Sequence, residues 1–466
     1  MAYIDDKDRD KKEKEFLKQL DISVAIFQDI KDELEHVLII SHTDADGYAS
    51  ATIIQRMLNR DGIKSSIDYF NRTSTWDDYL YDIVPRFDRY ENFAVFFTDI
   101  GSEIREIAEF FDDDPAHIFI LDHHELEEIP KDLDLDRIHI VNPTIYGLDG
   151  LKEIAGAALA YLFAKRVSLK NVNNAWIALI GITNDTLMNV DDYRSYNQQV
   201  LEEAVNEEQV ELKDGLFVYA ATHEKVKNAL AYSLFPFVKE FGGNPKKATV
   251  FLNRQNIDEN KKVVDLTDEE VNKINDQIET NVKGKYIIFP KKKTILRYAF
   301  EHGLIISISH FKNKRAASKL IASPRPPADL KIEYTRYISE VSNNLSMFVK
   351  TPKDYKKTAI FVDAGRRIPS IYWSDVASYS SVNNLYNPNK VLFLGGQDGK
   401  IIKLSVRCSE HYPPLKNGKG VDEIIYTLKK EFGGIGGGHK LAGGYKLAPN
   451  RFKKMKRQID SILSSK

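Results

Sequence analysis

Between residues 36 and 141 the chain alternates short apolar runs of strand length with polar segments of helical pattern. The apolar runs lie at 36–41, 65–70, 93–98, 117–121 and 137–141. Helical patterns lie at about 47–60 and 102–111, and two more follow at about 154–167 and 174–181. Strands that alternate with helices form parallel sheets covered by helices on both faces. The pattern therefore predicts a doubly wound α/β domain in this part of the chain.

Acidic and histidine motifs stand where these predicted elements end. They are His42-Thr43-Asp44-Ala45-Asp46-Gly47, then Asp99-Ile100-Gly101, then Asp122-His123-His124, and finally Asp185 at the end of a helical pattern. Taken singly, each has an ordinary explanation as a turn, a helix N-cap or a surface carboxylate. Three of the four follow a strand, however, and the carboxyl ends of parallel strands meet at one edge of a sheet. Their joint occurrence predicts one shared site.

The chemistry of these residues predicts a divalent metal. Several carboxylates cannot stay ionised close together unless a cation lies between them. A mixture of Asp and His suits Mn²⁺ or a similar ion, whereas an all-oxygen site would favour Mg²⁺ or Ca²⁺. Two such ions, roughly 3.5–4 Å apart, can activate a water and stabilise both the attacking and the leaving oxygen at phosphorus.

Charge is distributed unevenly along the chain. Residues 1–285 carry 33 Lys and Arg against 55 Asp and Glu, a net −22, and residues 286–466 carry 33 against 13, a net +20. This difference can be an accident of surface composition. It can also reflect a division of labour, because an acidic half holds cations and a basic half holds a polyanion such as nucleic acid.

The chain is predicted to divide into three parts: a catalytic domain at 1–190 with a charged N-terminal lead-in, a mainly helical insertion at 191–285, and a basic α/β domain at 286–466. Strands are predicted in the last part at 304–309, 358–362, 391–394 and 401–406. One cysteine, Cys408, excludes an internal disulfide, and no apolar run approaches the roughly 20 residues of a membrane helix. We expect a cytoplasmic protein with no membrane partner.

Two features of the basic part are candidate phosphate contacts. Gly436, Gly437 and Gly438 precede His439, and a glycine-rich loop lets backbone N–H groups approach a phosphate closely. Arg407 follows a predicted strand and offers a planar guanidinium to a phosphate. The ordinary alternatives are a flexible turn for the glycines and a surface ion pair for the arginine.

As a set, these motifs resemble those of the DHH phosphoesterase superfamily. The order His-x-Asp-Ala-Asp-Gly, then Asp, then Asp-His-His, then a distant Asp is similar to its N-terminal domain, and 432–444 resembles the glycine-rich motif of the accompanying DHHA1 domain. The length and the inserted segment resemble archaeal RecJ-like nucleases, a group that includes the GINS-associated nuclease and is related to an inactive subunit of the eukaryotic replicative helicase. The resemblance covers about 36–190 and 390–446. It implies two α/β domains with a cleft between them.

The resemblance also implies roles for single residues in a centre of two Mn²⁺ ions, with Mg²⁺ as the alternative. The implied ligands are Asp44, Asp46, Asp99, His123 and Asp185, with Asp99 between the two ions. Asp122 would be a ligand or a hydrogen-bond partner of ligands, and His124 would orient substrate or ligands. Bacterial RecJ proteins often have an acidic residue where His42 stands, so His42 can be a ligand, a partner of one, or neither. Arg407, Gly436, Gly437, Gly438 and His439 would hold the substrate.

The function that this implies is a metal-dependent exonuclease. It would release nucleoside monophosphates from an end of single-stranded DNA or RNA, in replication or repair. One alternative is a DHH phosphodiesterase of short oligoribonucleotides or cyclic dinucleotides. A second is a replication-complex scaffold that binds GINS and is not an enzyme.

Overall fold

The structure is a computed structural model that describes residues 6–70, 75–112, 114–126, 129–186, 190–417, 419–438 and 440–464. Its strands are β1 His36–Ser41, β2 Ser65–Tyr69, β3 Phe93–Thr98, β4 His117–Leu121, β5 Ile138–Val141, β6 Glu211–Leu216, β7 Lys283–Ile288, β8 Asp354–Tyr355, β9 Ala359–Asp363, β10 Val391–Asp398, β11 Ile401–Arg407, β12 Ile435–Gly438 and β13 Ala442–Leu447. Its α-helices are α1 Asp6–Ile30, α2 Ala45–Arg60, α3 Trp76–Ile83, α4 Ile104–Phe110, α5 Gly156–Val167, α6 Ala175–Thr186, α7 Ser195–Asn206, α8 Val226–Tyr232, α9 Pro245–Arg254, α10 Asp268–Asp276, α11 Ala299–His310, α12 Lys314–Ala322, α13 Ala328–Lys350, α14 Trp373–Val382, α15 Val421–Phe432 and α16 Pro449–Ser464.

The described residues form two compact units. The first unit contains residues up to 215 together with 284–331, and the second contains 216–283 and 332–466. This division differs from the predicted boundaries, because residues 284–331 pack with the N-terminal part and not with the C-terminal sheet. The assignment of separate functions to 1–190, 191–285 and 286–466 therefore stays a prediction.

The first unit is built on a parallel sheet whose strands, in the described part of the chain, follow the order β2-β1-β3-β4-β5. The strands are apolar and β1 and β3 are buried along their whole length, as strands covered on both faces must be. The strand order reverses between β1 and β3. Ligands of open α/β sheets bind in the crevice at such a reversal, outside the carboxyl ends of the strands. The predicted doubly wound α/β fold is confirmed.

Aromatic side chains fill one face of this sheet. Phe27 of α1 contacts Phe96 of β3, Phe119 of β4 and Phe163 of α5 with ring centroids 5.7–5.9 Å apart, and all four are fully buried. Phe96 and Phe119 also stack on each other at 4.7 Å. The charged N-terminal lead-in is thus a helix that covers the sheet. The other face is covered by a cluster that includes Trp76 of α3 and residues of α4.

The second unit contains a mixed sheet of order β12-β13-β11-β10-β9-β8, in which β9 and β10 are parallel and the other pairs are antiparallel. Helices α15 and α16 cover one face, where Leu428 and Met455 are buried against strand residues such as Phe393. A separate ribbon pairs β6 with β7. The predicted strands at 358–362, 391–394 and 401–406 correspond to β9, β10 and β11.

The predicted strand at 304–309 is wrong, because these residues lie inside helix α11. The run Leu304–Ser309 is apolar and rich in β-branched residues, which is typical of a buried strand. A helix buried on all sides gives the same pattern, since it has no polar face. Helix α11 is such a helix: all of its residues from Ala299 to Ile306 are buried.

The packing of α1 predicts the effect of two substitutions on the same helix. Phe27→Ala should lower the free energy of unfolding of the first unit by about 3–5 kcal/mol, because it removes a ring that packs against three other elements. Ile22→Ala is the matched control. Ile22 is 42% exposed, so its loss should change stability by about 0.5 kcal/mol or less. Urea unfolding followed by circular dichroism measures both, and equal effects would show that α1 is not part of the core.

Candidate metal centre

The candidate site lies at the strand-order reversal of the parallel sheet, within the first unit. Asp44 and Asp46 follow β1 at the start of α2, and Asp99 follows β3. The segment 122–124 follows β4. Asp185 lies in the last turn of α6, which packs against α2. All seven acidic and histidine residues expected to be catalytic are thus on elements that end at or pack against one edge of the sheet.

Asp44 begins helix α2 and is paired with a histidine. Its Oδ1 accepts hydrogen bonds of 3.1 Å from the backbone N–H groups of Asp46 and Gly47, as an N-cap does. Its Oδ2 lies 2.7 Å from Nδ1 of His42. Desolvation would raise the pKa of Asp44, but the His42 ring and the N–H groups outweigh it and hold the pKa well below its usual value. Asp44 is therefore an ionised carboxylate.

Asp99 stands at the centre of the site in a strained backbone conformation. Its φ of 57° is in the left-handed region, which non-glycine residues adopt mainly when the surrounding structure requires it. Its Oδ1 is 2.9 Å from Nε2 of His123, and its buried Oδ2 has no hydrogen-bond partner. Burial and the neighbouring carboxylates of Asp46 and Asp44 raise its pKa well above the usual value. This is the environment in which a cation would be bound.

Asp46 is held by the start of another helix. Its two oxygens accept hydrogen bonds from the backbone N–H groups of Gly156, at 2.7 Å, and Ala157, at 2.9 Å, in the first turn of α5. Burial and the charge of Asp185 still raise its pKa to about 7. Gly181 of α6 packs so closely that an added Cβ would lie 2.1 Å from Oδ1 of Asp46. Two helices therefore fix this carboxylate.

His123 has its ring orientation set by a backbone carbonyl. Nδ1 donates a short hydrogen bond to the carbonyl oxygen of Gly150, and Nε2 faces Asp99. Nε2 also lies 3.6 Å from Oδ2 of Asp46. Burial would lower the pKa of His123, but Asp185, Asp99 and Asp46 raise it well above the usual value. A ring whose Nδ1–H is occupied by a carbonyl presents Nε2 as the atom for a metal.

Asp122 supports the two histidines that follow it. Its Oδ1 accepts from the backbone N–H of His123 at 2.8 Å and lies 2.7 Å from Nδ1 of His124, and its Oδ2 accepts from the hydroxyl of Ser102 at 2.5 Å. Burial opposes ionisation, but these contacts hold its pKa well below the usual value. Because both oxygens are used, Asp122 orients His124 and is not placed as a ligand.

Asp185 completes the buried cluster. Its Oδ2 is buried without a hydrogen-bond partner and lies 3.9 Å from Nδ1 of His123. Burial raises its pKa, while His123 acts in the opposite direction. Like Asp99, it presents a carboxylate oxygen that nothing in the described part of the protein satisfies.

Three overlapping groups of ligand atoms result, each with its atoms within 4.8 Å of one another. They are Asp99 with His123 and His124; His42 with Asp44 and Asp99; and Asp46 with His123 and Asp185. Asp99 and His123 each belong to two groups, which is the arrangement expected of two neighbouring ions. The donor set of carboxylates and imidazoles fits Mn²⁺ or a related ion. A bound metal would supply charge neutralisation and an activated water.

Arg407, predicted to contact a substrate phosphate, is buried and does not form the surface ion pair of the alternative explanation. It is 9% exposed, and its guanidinium donates to Oγ of Ser378 at 3.0 Å, Oγ of Ser374 at 2.9 Å, and the carbonyl oxygens of Val406 and Gly443 at 2.8 and 3.1 Å. Burial lowers its pKa to about 10. In this arrangement the side chain braces β11 and α14 within the second unit, and a role in substrate binding stays a prediction.

The glycines Gly436, Gly437 and Gly438 form strand β12 at the edge of the mixed sheet, and not a loop. They pair with Tyr445, Gly444 and Gly443 of β13. Because β12 is an edge strand, the N–H groups on one side of its backbone point away from the sheet. Those groups could approach a phosphate, and this contact stays a prediction. His439 lies outside the described residues.

Four supporting residues were not predicted. Gly156 and Gly181 leave room for the carboxylate of Asp46, Gly150 fixes the ring of His123, and Ser102 donates to Asp122. Their sequence signal is weak, since a glycine inside a helical pattern only suggests close packing. The first unit brings together the seven predicted catalytic residues and His42, while Arg407 and the β12 glycines belong to the second unit.

No protein-family model matches the chain. An uncharacterized protein of Methanocaldococcus jannaschii is 25% identical over 462 residues, which cover 96% of this chain and 98% of that protein. The crystal structure of CDC45 from Entamoeba histolytica has a TM-score of 0.70 at 13% identity and covers 96% of this chain and 99% of CDC45. RecJ from Thermus thermophilus, solved with Mn²⁺, has a TM-score of 0.53 at 15% identity and covers 95% of this chain and 54% of RecJ.

At these identities the similarity shows a shared fold. The chain shares the fold of CDC45 and RecJ, which is the fold that its motifs predicted, and it spans about half the length of the Thermus RecJ. In the described part of the chain no helix has the length and apolar character that crossing a bilayer requires.

The raised pKa of Asp99 predicts how an isosteric substitution behaves. Asp99→Asn keeps an oxygen for His123, and asparagine tolerates the left-handed backbone. In EDTA, a carboxyl with a raised pKa stabilises the fold at low pH and loses that contribution as pH rises. The stability advantage of the variant over the wild type should therefore be larger at pH 8 than at pH 5, by on the order of 1 kcal/mol or more.

With Mn²⁺ at pH 8 the wild type should be more stable than the variant, because the bound ion stabilises the wild type and stabilises the variant much less. Thermal unfolding at both pH values, with and without the metal, measures these effects. The surface substitution Asp88→Asn is the control. If Mn²⁺ does not change the melting temperature of the wild type, the metal assignment is contradicted.

Proposed function

We propose that the chain is a metal-dependent phosphodiester hydrolase that removes nucleoside monophosphates from an end of single-stranded DNA or RNA. The observation that carries this proposal is the buried cluster in which Asp99 and His123 are shared between overlapping ligand groups. Unsatisfied oxygens on Asp99 and Asp185 support a site that is complete only with cations. Phosphodiester hydrolysis is the reaction that paired divalent ions serve in many nucleases.

Manganese is the proposed cofactor, with two ions per site. Imidazole ligands shift the preference from the hardest cations toward Mn²⁺, and the Thermus RecJ was solved in complex with that ion. The residues that would hold the ions are Asp44, Asp46, Asp99, His123 and Asp185. His42 lies within ligand distance of Asp44 and Asp99 as well, so it is proposed either as a further ligand or as the partner that keeps Asp44 ionised.

His124 is proposed to act on the substrate. Asp122 holds its Nδ1 at 2.7 Å, which leaves Nε2 for another contact, and the ring of His42 is 6.1 Å away. An imidazole fixed in this way can donate a hydrogen bond to a phosphate oxygen or a proton to the leaving oxygen. The chain's own contribution to the reaction is thus to orient the phosphate and to keep the carboxylates in place.

The second unit is proposed to hold the strand. Residues 216–283 and 332–466 carry 33 Lys and Arg against 21 Asp and Glu, which favours a polyanion. A small-substrate phosphodiesterase, acting on short oligoribonucleotides or cyclic dinucleotides, would need little of this charge. A role in DNA replication or repair follows for an enzyme with these substrates.

One observation favours a second candidate, a replication-complex scaffold. The chain covers 99% of CDC45 with a TM-score of 0.70, but only 54% of the Thermus RecJ. A scaffold that binds GINS has no need of clustered ligand atoms, however, and the overlapping acidic and histidine groups support an enzyme. Binding to GINS and hydrolysis can also occur in the same protein, so the two candidates need separate tests.

Product analysis tests the enzyme. End-labelled single-stranded DNA and RNA, incubated with Mn²⁺, should give mononucleotides as the first product, and EDTA should abolish the reaction. Mn²⁺ should support a higher rate than Mg²⁺. Asp99→Asn should lower kcat by about 10³-fold or more, on the scale of losing a key electrostatic group.

Length dependence separates the candidates. An exonuclease should bind a long strand better than a dinucleotide, whereas a small-substrate enzyme should not. The scaffold would be the correct function if no substrate is cleaved and if both the wild type and Asp99→Asn capture GINS subunits.

A further inference from the structure

Phe311 places a large apolar ring in solvent beside the metal centre. It is 79% exposed and follows directly after helix α11. Lys312, Lys314 and Arg315 follow within four positions and are exposed too. We call these four residues the Phe311 patch. Single exposed apolar residues are common on protein surfaces, so exposure alone does not indicate a binding site. The position of the ring and its basic neighbours are the further evidence.

Helix α11 connects the patch to the metal centre within the first unit. Near its start, Gly303 packs on Asn184, the neighbour of Asp185, so closely that an added Cβ would lie 2.0 Å from the amide nitrogen. At its end, Nδ1 of His310 is 2.9 Å from the hydroxyl of Tyr48, two residues after Asp46. Eight residues of helix span about 12 Å. Phe311 therefore lies about 12 Å along the helix axis from the point where Gly303 contacts the neighbour of Asp185.

Buried aromatic residues hold the base of the patch in place. Tyr48 stacks on Tyr69 with centroids 3.9 Å apart, and His310 contacts both rings edge-on. The ring of Phe311 meets His310 at 5.3 Å and 88°. Nζ of Lys314 donates to the carbonyl oxygen of Tyr69 at 3.3 Å. The exposed ring thus stands on a fixed support, so little conformational entropy is lost when it binds a planar group.

We propose that Phe311 stacks on a base of the single strand whose phosphate occupies the metal centre, while Lys312 and Arg315 contact the phosphates on either side. This inference rests on the proposed nuclease function and adds a substrate-binding surface in the catalytic unit. Stacking on an aromatic ring tolerates every base, and basic neighbours hold the backbone. An enzyme that removes nucleotides in succession needs a contact of this kind.

Three aromatic residues of the second unit are too buried to offer the same contact, and its exposed Tyr355 and Tyr426, at 58% and 65%, lie in the unit that does not carry the metal centre. The three buried residues, Trp373, Tyr379 and Tyr412, are 2%, 9% and 4% exposed. A base cannot stack on a ring whose faces are covered by protein. In the first unit Tyr81 is exposed as well, at 70%, but its ring contacts Phe110 of α4 and no residue of the metal centre.

The test compares Phe311→Ala with Phe311→Trp and with the control Tyr81→Ala. On a long single strand, Phe311→Ala should raise KM by roughly 5- to 100-fold, the range of one lost base–aromatic contact, and should leave kcat within about twofold. Phe311→Trp should keep the wild-type KM, and so should Tyr81→Ala. With bis-(p-nitrophenyl) phosphate, which carries no base, all of these proteins should have equal activity.

Oligonucleotides with one abasic position identify the contact. The abasic position is moved along the first several nucleotides from the processed end. At one position the wild type should lose affinity, and Phe311→Ala should lose nothing further, because the contact is already absent. Arg315→Ala should instead make the salt dependence of binding shallower by about 0.7 in log K per log salt, whereas Phe311→Ala should leave that slope unchanged.

Binding is also measured without turnover, in an Asp99→Asn background, so that this inference and the proposed function can fail separately. If the strand binds with an affinity that depends on Phe311 but is never cleaved, the stacking surface stands and the exonuclease does not. If the wild type cleaves the strand and Phe311→Ala matches it in KM, in affinity and at every abasic position, the stacking surface is overturned.

Discussion

The carboxylate of Asp46 is the interaction on which the rest of the site depends, because it joins α2, α5 and α6 at one buried point. The N–H groups of Gly156 and Ala157 bind it, and the start of a helix favours an anion. Burial and the charge of Asp185 nevertheless raise its pKa to about 7. The hydrogen bonds from these two N–H groups are therefore too weak to offset the effects of desolvation and of repulsion by Asp185 on the pKa of Asp46. The protein thus tolerates carboxylates whose ionised forms are unfavourable unless a proton or a cation offsets their charge.

Close packing around this point explains why glycine recurs in the motifs. A Cβ on Gly47 would lie 2.3 Å from the carbonyl oxygen of His42, and one on Gly156 would lie 2.8 Å from Asp99. Gly181 approaches Asp46 more closely still. Any side chain at these positions would push the helices apart and move the carboxylates out of ligand distance. The geometry of the metal centre is thus set by the distances between helix backbones, which side-chain chemistry alone does not reveal.

The sequence was sufficient for the parallel sheet and for the acidic cluster, because strand ends and motif order are local signals. It was insufficient where tertiary packing determines the type of an element, the unit to which a segment belongs or the burial of a side chain. Residues 304–309 read as a strand because α11 is buried all round, and the segment 284–331 was assigned to the basic half although it packs with the first unit. The hydrogen bonds of Arg407 to serine hydroxyls and backbone carbonyls could not be foreseen either, and its contact with a phosphate stays a prediction. Burial of a charged residue depends on distant neighbours, which no local pattern contains.

The placement of 284–331 changes how the charge asymmetry should be understood. Residues 1–215 carry 22 Lys and Arg against 45 Asp and Glu, while 284–331 carry 11 against 2. A phosphate that approaches a cluster of carboxylates is repelled unless positive charge lies nearby, and at physiological ionic strength charges act strongly only within about 8 Å. Basic residues attached to α11 and α12 can act at that range on a strand entering the metal centre. For the proposed single-stranded substrate, the first unit would therefore supply attraction beside the acidic site, and the net charge of the second unit would not have to provide all of it.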